Sequence, residues 1–545
     1  MSESEKNLYS RREMLRLSGK IAVASAFAPQ LCFAKTENSS NPLGVVVGDV
    51  AAAKVGERIL RDGGNAIDAA VAAAFAAGIV SPSKCGVGGY GGHAIIALAG
   101  GKKFTSIDFN SAAPTAARAD MFPLDEKGRV KGNLNYHGWL AVGVPGTLAG
   151  LQLALNRYGT RSLRDILAPS IRLCEEGVYV APIKGIDDAS RNDPRPDSTQ
   201  EKESTGRAKQ RNLALAKLLN NLAKENSVES FYRGDIAHKI ADAFRRNGGL
   251  VTFGDMAAYR AREVEPLKLD WNGSIIHTAP LTSPGLMLLE AMSILKTLDW
   301  QKLSQQERLH AKLEALRIAW ADRLEFFGDP EKVKVPVEKF VSSNHVGRMT
   351  EKVLASLKEQ KPVSLKTASS KDEGTISITA ADRHGNMIAL TLTHGSSFGA
   401  RVSVEEFGMV LGHGMWRFDP RPGHPNSPGP GKRAVNNMCP TIVTRDGKPV
   451  FAIGAAGGTR IPNSIYEVLI NYVGLGASME EAMRAPRMET SGTLNLGLEK
   501  GHSQDDENFL RKIGYKASPT YSAYVSAISI EPKTGKCVGI SSGGI

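Results

Sequence analysis

The sequence lacks the features that mark several common classes of protein. Its 545 residues contain no run of about 18 uninterrupted apolar residues, so no permanent membrane-spanning helix is expected. No unit of about 20–50 residues repeats, which argues against a solenoid. There is no CxxC or HExxH pair, the spacings at which cysteine and histidine often hold zinc. We therefore expect neither a metal ion nor a cofactor.

Aromatic residues and long stretches of one charge are also scarce. Phe, Trp and Tyr make up 6% of the chain, and the 68 Lys and Arg residues are scattered among 56 Asp and Glu residues. The net charge of +12 therefore forms no basic stripe of the kind that binds nucleic acids. It favours small anionic ligands instead.

Residues 1–34 have the pattern of an export signal and are left out of the fold. Ser10–Leu15 is a twin-arginine signature, Ile21–Phe27 is a short apolar run, and Leu31–Ala34 ends in a small residue suited to cleavage. A short amphipathic terminal helix is the alternative. The signal predicts a periplasmic protein, or a secreted one, without a membrane anchor.

Cysteine is rare, and its use follows from the predicted compartment. Of five cysteines, Cys32 would be removed with the signal. Cys85, Cys174, Cys439 and Cys537 remain, an even number in an oxidising compartment. Disulfide bonds are thus permitted, and all three possible pairings stay open.

The remaining composition is that of a large globular protein, with 42% hydrophobic residues and 56 glycines. Val55–Val80 predicts a helix interrupted at Asp62–Asn65, followed by the glycine cluster Gly86–Gly92 and an apolar strand, His93–Leu98. A dinucleotide-binding fingerprint needs strand, glycines and helix in that order. The order here is different, so the glycines indicate close backbone packing.

The middle of the chain is predicted to be helical up to a linker. Helices are expected over Leu213–Glu225, Asp235–Asn247 and Gln305–Phe327. Residues 353–372 are polar and rich in Lys and Ser, without helical periodicity, which is typical of a linker.

The pattern changes after the predicted linker. Thr375–Thr379 and Ile388–Thr393 each alternate polar and apolar residues on either side of the turn-like Asp382–Asn386, which predicts a β-hairpin. A symmetric register places Thr375 opposite Thr393 and separates a hydroxyl face from an apolar face. The alternation alone favours a hairpin whose hydroxyl face is in water. A strand pair at the edge of a buried site is the alternative.

Short words spread over almost the whole chain carry a family resemblance. They are, in order, Asp62–Ala70, Gly86–Gly92, Ala113-Pro114, Asp120–Phe122, Gly143–Thr147, Ala168-Pro169, Glu175–Gly177, Ala319–Arg323, Gly328–Pro330, Gly385-Asn386, Pro440–Ile442 and Gly457–Ile461. Together they resemble the γ-glutamyltranspeptidase (glutathione hydrolase) family of the N-terminal-nucleophile hydrolase superfamily. The resemblance implies an α/β fold, a four-layer αββα sandwich assembled from two self-cleaved subunits.

The resemblance implies that the precursor cuts its own chain before a threonine that becomes the nucleophile. The matching residue is Thr375, so the bond that is cut joins Gly374 to Thr375, and the subunits of the resulting heterodimer are residues 35–374 and 375–545. A new α-amine, with an ordinary pKa near neutrality, can act as base for the hydroxyl. Thr393 matches the threonine that hydrogen-bonds the nucleophile. Gly457 and Gly458 match the N–H pair that stabilises the oxyanion.

The residues matching the family's γ-glutamyl-binding groups depart from the family pattern. Asn110 stands in place of an arginine, and Asn436 and Asn437 in place of two serines, all of which bind the α-carboxylate in the family. Gly395 replaces an asparagine, and Arg417 replaces the aspartate that binds the α-amine. An arginine reverses the charge preference of that position. We expect these five residues to bind the acyl group of the substrate, through a carboxylate or carbonyls.

The sequence therefore predicts a self-processing amidohydrolase or acyltransferase that forms an acyl-threonine intermediate from a small amide. The amide is either glutathione-like or carries another anionic acyl group, as in an oxamate. A non-catalytic homologue that binds an anionic metabolite is the alternative from a different class of function.

Overall fold

The computed structural model describes residues 43–101, 103–180, 201–202, 208–280, 282–299, 302–365, 375–531 and 534–542. The predicted export signal, Gly374 and the end of the predicted linker lie outside the described residues.

Two six-stranded sheets form the centre of the molecule. The strands are β1 (Gly44–Val47), β2 (Gly91–Ala97), β3 (Phe104–Asp108), β4 (Val178–Val180), β5 (Glu201–Lys202), β6 (Ala208–Gln210), β7 (Arg262–Val264), β8 (Leu267–Trp271), β9 (Ser274–Thr278), β10 (Ile376–Asp382), β11 (Met387–Thr393), β12 (Ser403–Val404), β13 (Met409–Val410), β14 (Thr441–Arg445), β15 (Lys448–Ala456), β16 (Met488–Glu489), β17 (Asn495–Leu498), β18 (Lys516–Pro519), β19 (Tyr524–Ile530) and β20 (Cys537–Ser542). The first sheet has the order β1-β10-β11-β2-β3-β7, and the second has the order β20-β19-β15-β14-β9-β8. Neighbouring strands are antiparallel in both.

Helices cover the outer faces of both sheets. They are α1 (Val50–Arg61), α2 (Ala66–Val80), α3 (Thr147–Tyr158), α4 (Leu163–Glu176), α5 (Leu213–Glu225), α6 (Glu229–Arg233), α7 (Asp235–Arg246), α8 (Phe253–Ala258), α9 (Gly285–Thr297), α10 (Gln305–Phe326), α11 (Val337–Val341), α12 (Ser343–Glu359), α13 (Arg460–Leu469), α14 (Met479–Arg484) and α15 (Gln504–Lys512). The break predicted within Val55–Val80 is the turn between α1 and α2.

The first helical layer is centred on α2, which is almost entirely buried. Its sequence, AIDAAVAAAFAAGIV, is apolar on all sides, as expected for a helix enclosed by other elements. It begins with a capping box between Asn65 and Asp68. It packs against α1, α4 and the first sheet.

The second helical layer consists mainly of α9, α10, α12 and α13. The first three pack against one another, and α9 and α13 also contact the second sheet. Trp320, Phe451 and Tyr466 are completely buried there. The layers follow the order helix, sheet, sheet, helix, so the expected αββα sandwich is confirmed.

The hairpin β10–β11 has the predicted register. Ile376 pairs with Leu392, which places Thr375 opposite Thr393. The preference for a hydroxyl face in water was wrong, because the second sheet covers that face. Ser377 Oγ lies 2.8 Å from Ser526 Oγ in the second sheet.

The predicted linker was wrong in its first part, because α12 continues to Glu359 and ends in a left-handed cap at Gln360. Its lysines lie on the exposed side. The buried side carries His345, Val346, Met349, Thr350, Val353 and Ser356. A polar helix with one narrow buried stripe is easily mistaken for a linker.

Both sheets contain strands from both sides of residue 375. In the first sheet β10 and β11 lie between β1 and β2, and in the second β14 and β15 lie between β9 and β19. Residues before and after Thr375 therefore do not form separately folded units.

The four cysteines outside the predicted signal are each buried as free thiols. None of the three pairings is present in the part of the chain that the structure describes.

Candidate active site

Thr375 lies at one end of the first sheet, directly before β10. Its hydroxyl donates a hydrogen bond to Thr393 Oγ1 at 3.5 Å, and Thr393 Oγ1 also accepts the Gly395 N–H at 2.7 Å. Thr375 is 7% exposed and Thr393 is 4% exposed. The paired strands thus bring together the two threonines that the sequence predicted as nucleophile and supporting residue.

The surroundings of Thr375 restrict how its hydroxyl could be activated. Across residues 43–365 and 375–542, where described, no carboxylate or imidazole is hydrogen-bonded to Thr375 Oγ1. A threonine hydroxyl needs a base to become a nucleophile. The base that this position can supply is its own α-amine, which exists only after the preceding peptide bond is cut.

Gly457 and Gly458 form the turn between β15 and α13. Their φ angles are +143° and +63°, a region that side chains with a Cβ rarely adopt. Their carbonyls accept the N–H groups of Arg460 and Ile461, each at 3.2 Å. The turn therefore lies at the N-terminus of α13, where the helix dipole favours negative charge.

One contact between the sheets places this turn at the same end of the sandwich as Thr375. A Cβ on Gly454 of β15 would lie 2.4 Å from Ser377 Oγ of β10. From this pair, β10 extends back by two residues to Thr375, and β15 extends forward by three residues to Gly457. The two glycines and the two threonines therefore lie at the same end of the sandwich, although they are far apart in the sequence.

Asn110 and Asn436 are also brought together, but their amide groups are already engaged. Asn110 Nδ2 donates to Thr282 Oγ1 at 2.6 Å and faces His93 Nε2 at 3.1 Å. Asn436 Nδ2 faces the same His93 Nε2 at 3.0 Å and donates to the Thr282 carbonyl at 3.1 Å. The two asparagines are 0% and 1% exposed. The amide nitrogens of both residues therefore form hydrogen bonds inside the protein.

His93 joins these two asparagines as a neutral ring. The Met438 N–H bonds to Asn436 Oδ1 at 2.8 Å, so Asn436 Nδ2 must face His93, and His93 Nε2 must accept. The other ring nitrogen lies 4.0 Å from Asp108 Oδ1. Burial lowers the pKa of His93 to about 4, against the opposing effect of Asp108. The contact with Asn436 therefore favours the neutral tautomer with its proton on Nδ1, an atom that makes no hydrogen bond in the described structure.

Asn437 is hydrogen-bonded to a third residue, Arg323 of α10, and the charge of Arg417 acts on the same side chain. Arg323 Nη2 donates to the Asn436 carbonyl and to Asn437 Oδ1, both at 2.7 Å. The guanidinium also lies over the Trp320 ring, 4.6 Å from its centre. Burial first, and then the charge of Arg417, lower the pKa of Arg323 to about 9.

Sequence reasoning missed His93, Thr282 and Arg323 as members of the site. Arg323 lies in a word that carried the resemblance, but as one of many matching residues. A histidine in the apolar strand after the glycine cluster was the available sign for His93. No local pattern distinguishes Thr282.

A second titratable cluster lies outside this site, in the second helical layer. His345 Nε2 of α12 lies 2.7 Å from Glu290 Oε1 of α9 and 3.3 Å from Asp322 Oδ2 of α10. Burial raises the pKa of Glu290, and hydrogen bonds to Asp322 and Glu290 raise the pKa of His345. These side-chain contacts link α9, α10 and α12.

No helix in the described ranges is long and apolar enough to cross a membrane.

Comparisons with known proteins agree on one family. A family model described as gamma-glutamyltranspeptidase matches residues 52–542. The chain is 33% identical over 528 residues to the glutathione hydrolase proenzyme of Escherichia coli (strain K12), covering 91% of this chain and 90% of that protein. It is 33% identical over 506 residues to the acylase ACY 1 proenzyme of Pseudomonas sp. (strain V22), covering 90% of each.

A solved structure supports the same grouping. The crystal structure of a cephalosporin acylase from Bacillus halodurans superposes with a TM-score of 0.78 at 26% identity, covering 94% of this chain and 95% of that one.

Proposed function

This chain belongs to the gamma-glutamyltranspeptidase family, and on that basis we propose that Thr375 is the nucleophile of a self-processing amidohydrolase. The observation that carries the proposal is the Thr375–Thr393 hydroxyl pair, which lies at the same end of the sandwich as the Gly457-Gly458 turn. This combination would supply a nucleophile, a partner for its hydroxyl and donors for an oxyanion at one end of the sandwich.

Self-processing uses the Thr375 hydroxyl before its α-amine exists, and the hydroxyl proton passes to the departing amide nitrogen. Thr375 Oγ attacks the carbonyl carbon of Gly374, and the peptide C–N bond breaks to leave an ester and a free Thr375 α-amine. Water then hydrolyses the ester, which releases the Gly374 carboxylate. The products are the proposed subunits, residues 35–374 and 375–545. Their shared sheets support a heterodimer that stays assembled.

In turnover, the new α-amine takes the Thr375 hydroxyl proton while Oγ attacks the acyl carbon of the substrate amide. The N–H groups of Gly457 and Gly458 hold the oxyanion, a contribution worth about 2.7–4 kcal/mol per donor in comparable sites. The C–N bond breaks, and the leaving amine takes the proton from the α-amine. Water, or an acceptor amine, then attacks the acyl-threonine ester and restores Thr375.

The acyl group has two candidates. Relatives named glutathione hydrolase favour a γ-glutamyl amide such as glutathione. The replacement of an acid by Arg417, whose charge acts on the buried Arg323, favours an anionic acyl group without an α-amine. One relative is named an acylase. A side-by-side assay of both amides separates the two.

We also propose export through the twin-arginine signal in residues 1–34. The charged pair Arg11-Arg12 and the short apolar run after it support this. Fractionation of cells expressing the full chain tests it. Replacing both arginines by lysine should leave an unexported precursor, whereas unchanged export would refute the proposal.

Intact mass and N-terminal sequencing of the purified protein test the nucleophile. We expect two chains, one starting at Thr375, and a single uncut chain for Thr375→Ala. Release of amine from either amide should depend on the cut. A stable uncut parent chain would instead support the non-catalytic homologue that binds an anionic metabolite.

A further inference from the structure

The carboxylates of Glu290 and Asp322 come together inside the second helical layer without a lysine or arginine beside them. Glu290 is 0% exposed, and in the described part of the chain no Lys or Arg nitrogen lies within ion-pair distance of either carboxylate. The amine of Lys339 lies over the rings of Phe326 and Phe340 instead, 4.6 Å and 5.1 Å from their centres. Buried carboxylates in such a place must be neutralised by protons or by a bound cation.

His345 donates to this pair, but its Nε2 atom carries one hydrogen for two oxygens. Nε2 lies 2.7 Å from Glu290 Oε1 and 3.3 Å from Asp322 Oδ2. Glu290 Oε2 and Asp322 Oδ2 are buried atoms to which no backbone, amide or hydroxyl group of the described residues donates. The two carboxylates attract each other only with a proton or a cation between them. Buried oxygens without a donor are rare in native proteins and indicate an additional bound group.

The spacing of the three side chains suits a small metal ion. One ligand atom from each of Glu290, Asp322 and His345 lies within 4.8 Å of the other two. Zn²⁺ binds histidine nitrogen and carboxylate oxygen at about 2.0–2.2 Å, so neighbouring ligands of a tetrahedral ion are about 3.3–3.6 Å apart. The 3.3 Å distance from His345 Nε2 to Asp322 Oδ2 already matches, and the 2.7 Å contact with Glu290 would open by about 0.6 Å. The Asp322 side chain is 20% exposed, which provides an entry path and room for a water ligand.

Charge and ligand type agree on the class of metal. With a neutral imidazole, the three side chains carry two negative charges, which one divalent ion cancels. The imidazole favours zinc-like transition metals over Mg²⁺ and Ca²⁺, which prefer oxygen ligands alone. We infer that Glu290, Asp322 and His345 form a binding site for a divalent metal of the zinc type, which joins α9, α10 and α12. The three residues lie on separate helices, so the short CxxC and HExxH spacings could not reveal the site. The inference does not rest on the proposed function.

Zinc binding to the chain purified without a histidine tag tests the site. The protein is dialysed against EDTA and then titrated in a calorimeter with Zn²⁺ alone, and with Mg²⁺ and Ca²⁺ in parallel. We expect one Zn²⁺ per chain and a higher thermal midpoint with Zn²⁺ than without it. Mg²⁺ and Ca²⁺ should have no comparable effect. Co²⁺ in place of Zn²⁺ should give the strong visible absorption of a four-coordinate ion.

Single substitutions assign the binding to this cluster. Glu290→Gln and His345→Gln each remove one ligand and should weaken Zn²⁺ binding more than about 100-fold, because loss of even an outer contact to a metal ligand typically costs about 10- to 100-fold. Glu351 is an exposed carboxylate on the same helix as His345, and Glu351→Gln should bind Zn²⁺ as the parent does. Glutamine resembles a protonated glutamate, so Glu290→Gln should keep the fold, which its thermal midpoint in EDTA checks. Asp322→Asn replaces either variant that fails to fold.

A parent chain that binds no Zn²⁺, or ligand variants that bind it as tightly as the parent, would overturn the inference and show that protons alone neutralise the cluster. Binding of Mg²⁺ or Ca²⁺ as tight as that of Zn²⁺ would overturn the choice of metal. Metal and protons compete for the same atoms, so the pH dependence of stability is a property of the metal-free chain and is measured in EDTA. None of these readouts uses the amide reaction, so failure of the proposed function would leave the test of the metal site unchanged.

Discussion

The imidazole of His413 occupies the space into which a side chain at Gly395 would project. A Cβ on Gly395 would lie 2.1 Å from His413 Cδ2 and 2.2 Å from Nε2. The ring is held there by a 3.1 Å contact between Nδ1 and the Tyr136 carbonyl and by the rings of Tyr136 and Trp416. The Gly395 N–H bonds to Thr393 Oγ1, so His413 packs against the residue that is hydrogen-bonded to the predicted supporting threonine.

This relationship predicts that Gly395 and His413 are coupled. Gly395→Ala should lower the thermal midpoint, because a Cβ meets the ring and because Gly395 has φ +101°. Overpacking and backbone strain of this kind each cost about 1–3 kcal/mol. Combining it with His413→Ala should recover the overpacking part but not the strain. Strictly additive effects of the two changes would contradict the contact.

Thr393→Val is expected to slow both self-cleavage and turnover. Valine keeps the shape but removes the oxygen that accepts from Thr375 Oγ1 and from the Gly395 N–H. A buried N–H left unpaired costs about 1–3 kcal/mol, which corresponds to about a 5-fold to 160-fold loss of rate if it is felt in the transition state. Single-turnover rates and the fraction of cut chain measure the effect. Thr393→Ser retains the oxygen and should remain within a few fold of the parent.

His93 should matter as a hydrogen-bond acceptor and not as a proton donor. His93→Leu leaves the amides of Asn110 and Asn436 without their shared partner, and should destabilise the protein by about 1–3 kcal/mol. His93→Gln can present an acceptor and should recover part of this loss. Because burial lowers the pKa of His93 to about 4, the pH–rate profile above pH 5 should be unchanged in His93→Gln. A new ionisation appearing or vanishing there would contradict a neutral ring.

The Glu290–Asp322–His345 cluster predicts stability that falls as the pH rises. The folded protein raises the pKa of Glu290 and of His345 above their unfolded values, so these protons are held more tightly when the chain is folded. Their contribution is complete below the unfolded pKa of a glutamate and is lost between about pH 5 and pH 9. Asp322, whose pKa is lowered by its hydrogen bonds against the effect of burial, works in the opposite sense only at acid pH.

Denaturant unfolding at a series of pH values measures this slope. Glu290→Gln, which resembles the protonated acid, should flatten the slope over the same range, and a surface change such as Glu480→Gln should not. A parent protein whose stability rises from pH 5 to pH 9 would contradict the assignment.

The sequence was sufficient to predict the β10–β11 hairpin but not the contacts of the residues predicted to bind substrate. Alternation in Thr375–Thr379 and Ile388–Thr393 determines the register of an antiparallel pair, because side chains change face at every residue. The same alternation could not reveal that a second sheet covers the hydroxyl face. That depends on β15 and β19, which pair only after a long return of the chain.

The contacts of Asn110 and Asn436 were difficult to predict for the same reason. Asn110 and Asn436 both contact His93, and Asn436 lies 343 residues from it in the sequence. No local sequence pattern predicts such a contact. The residue types alone suggested that every polar group faced the substrate. The hydrogen bonds in the folded protein show that the amides of Asn110 and Asn436 already have partners.

Each of the two sheets contains strands from both sides of residue 375, so both sheets would hold the cut chain together. After cleavage at Thr375, β10 and β11 would still have neighbours from the other segment on both sides. Separating the products would therefore require the hydrogen bonds of both sheets to break together. Such a pair has no ordinary dissociation equilibrium: dilution should not divide it, exchange of labelled halves should be no faster than global unfolding, and the segments produced apart should not reassemble by simple mixing.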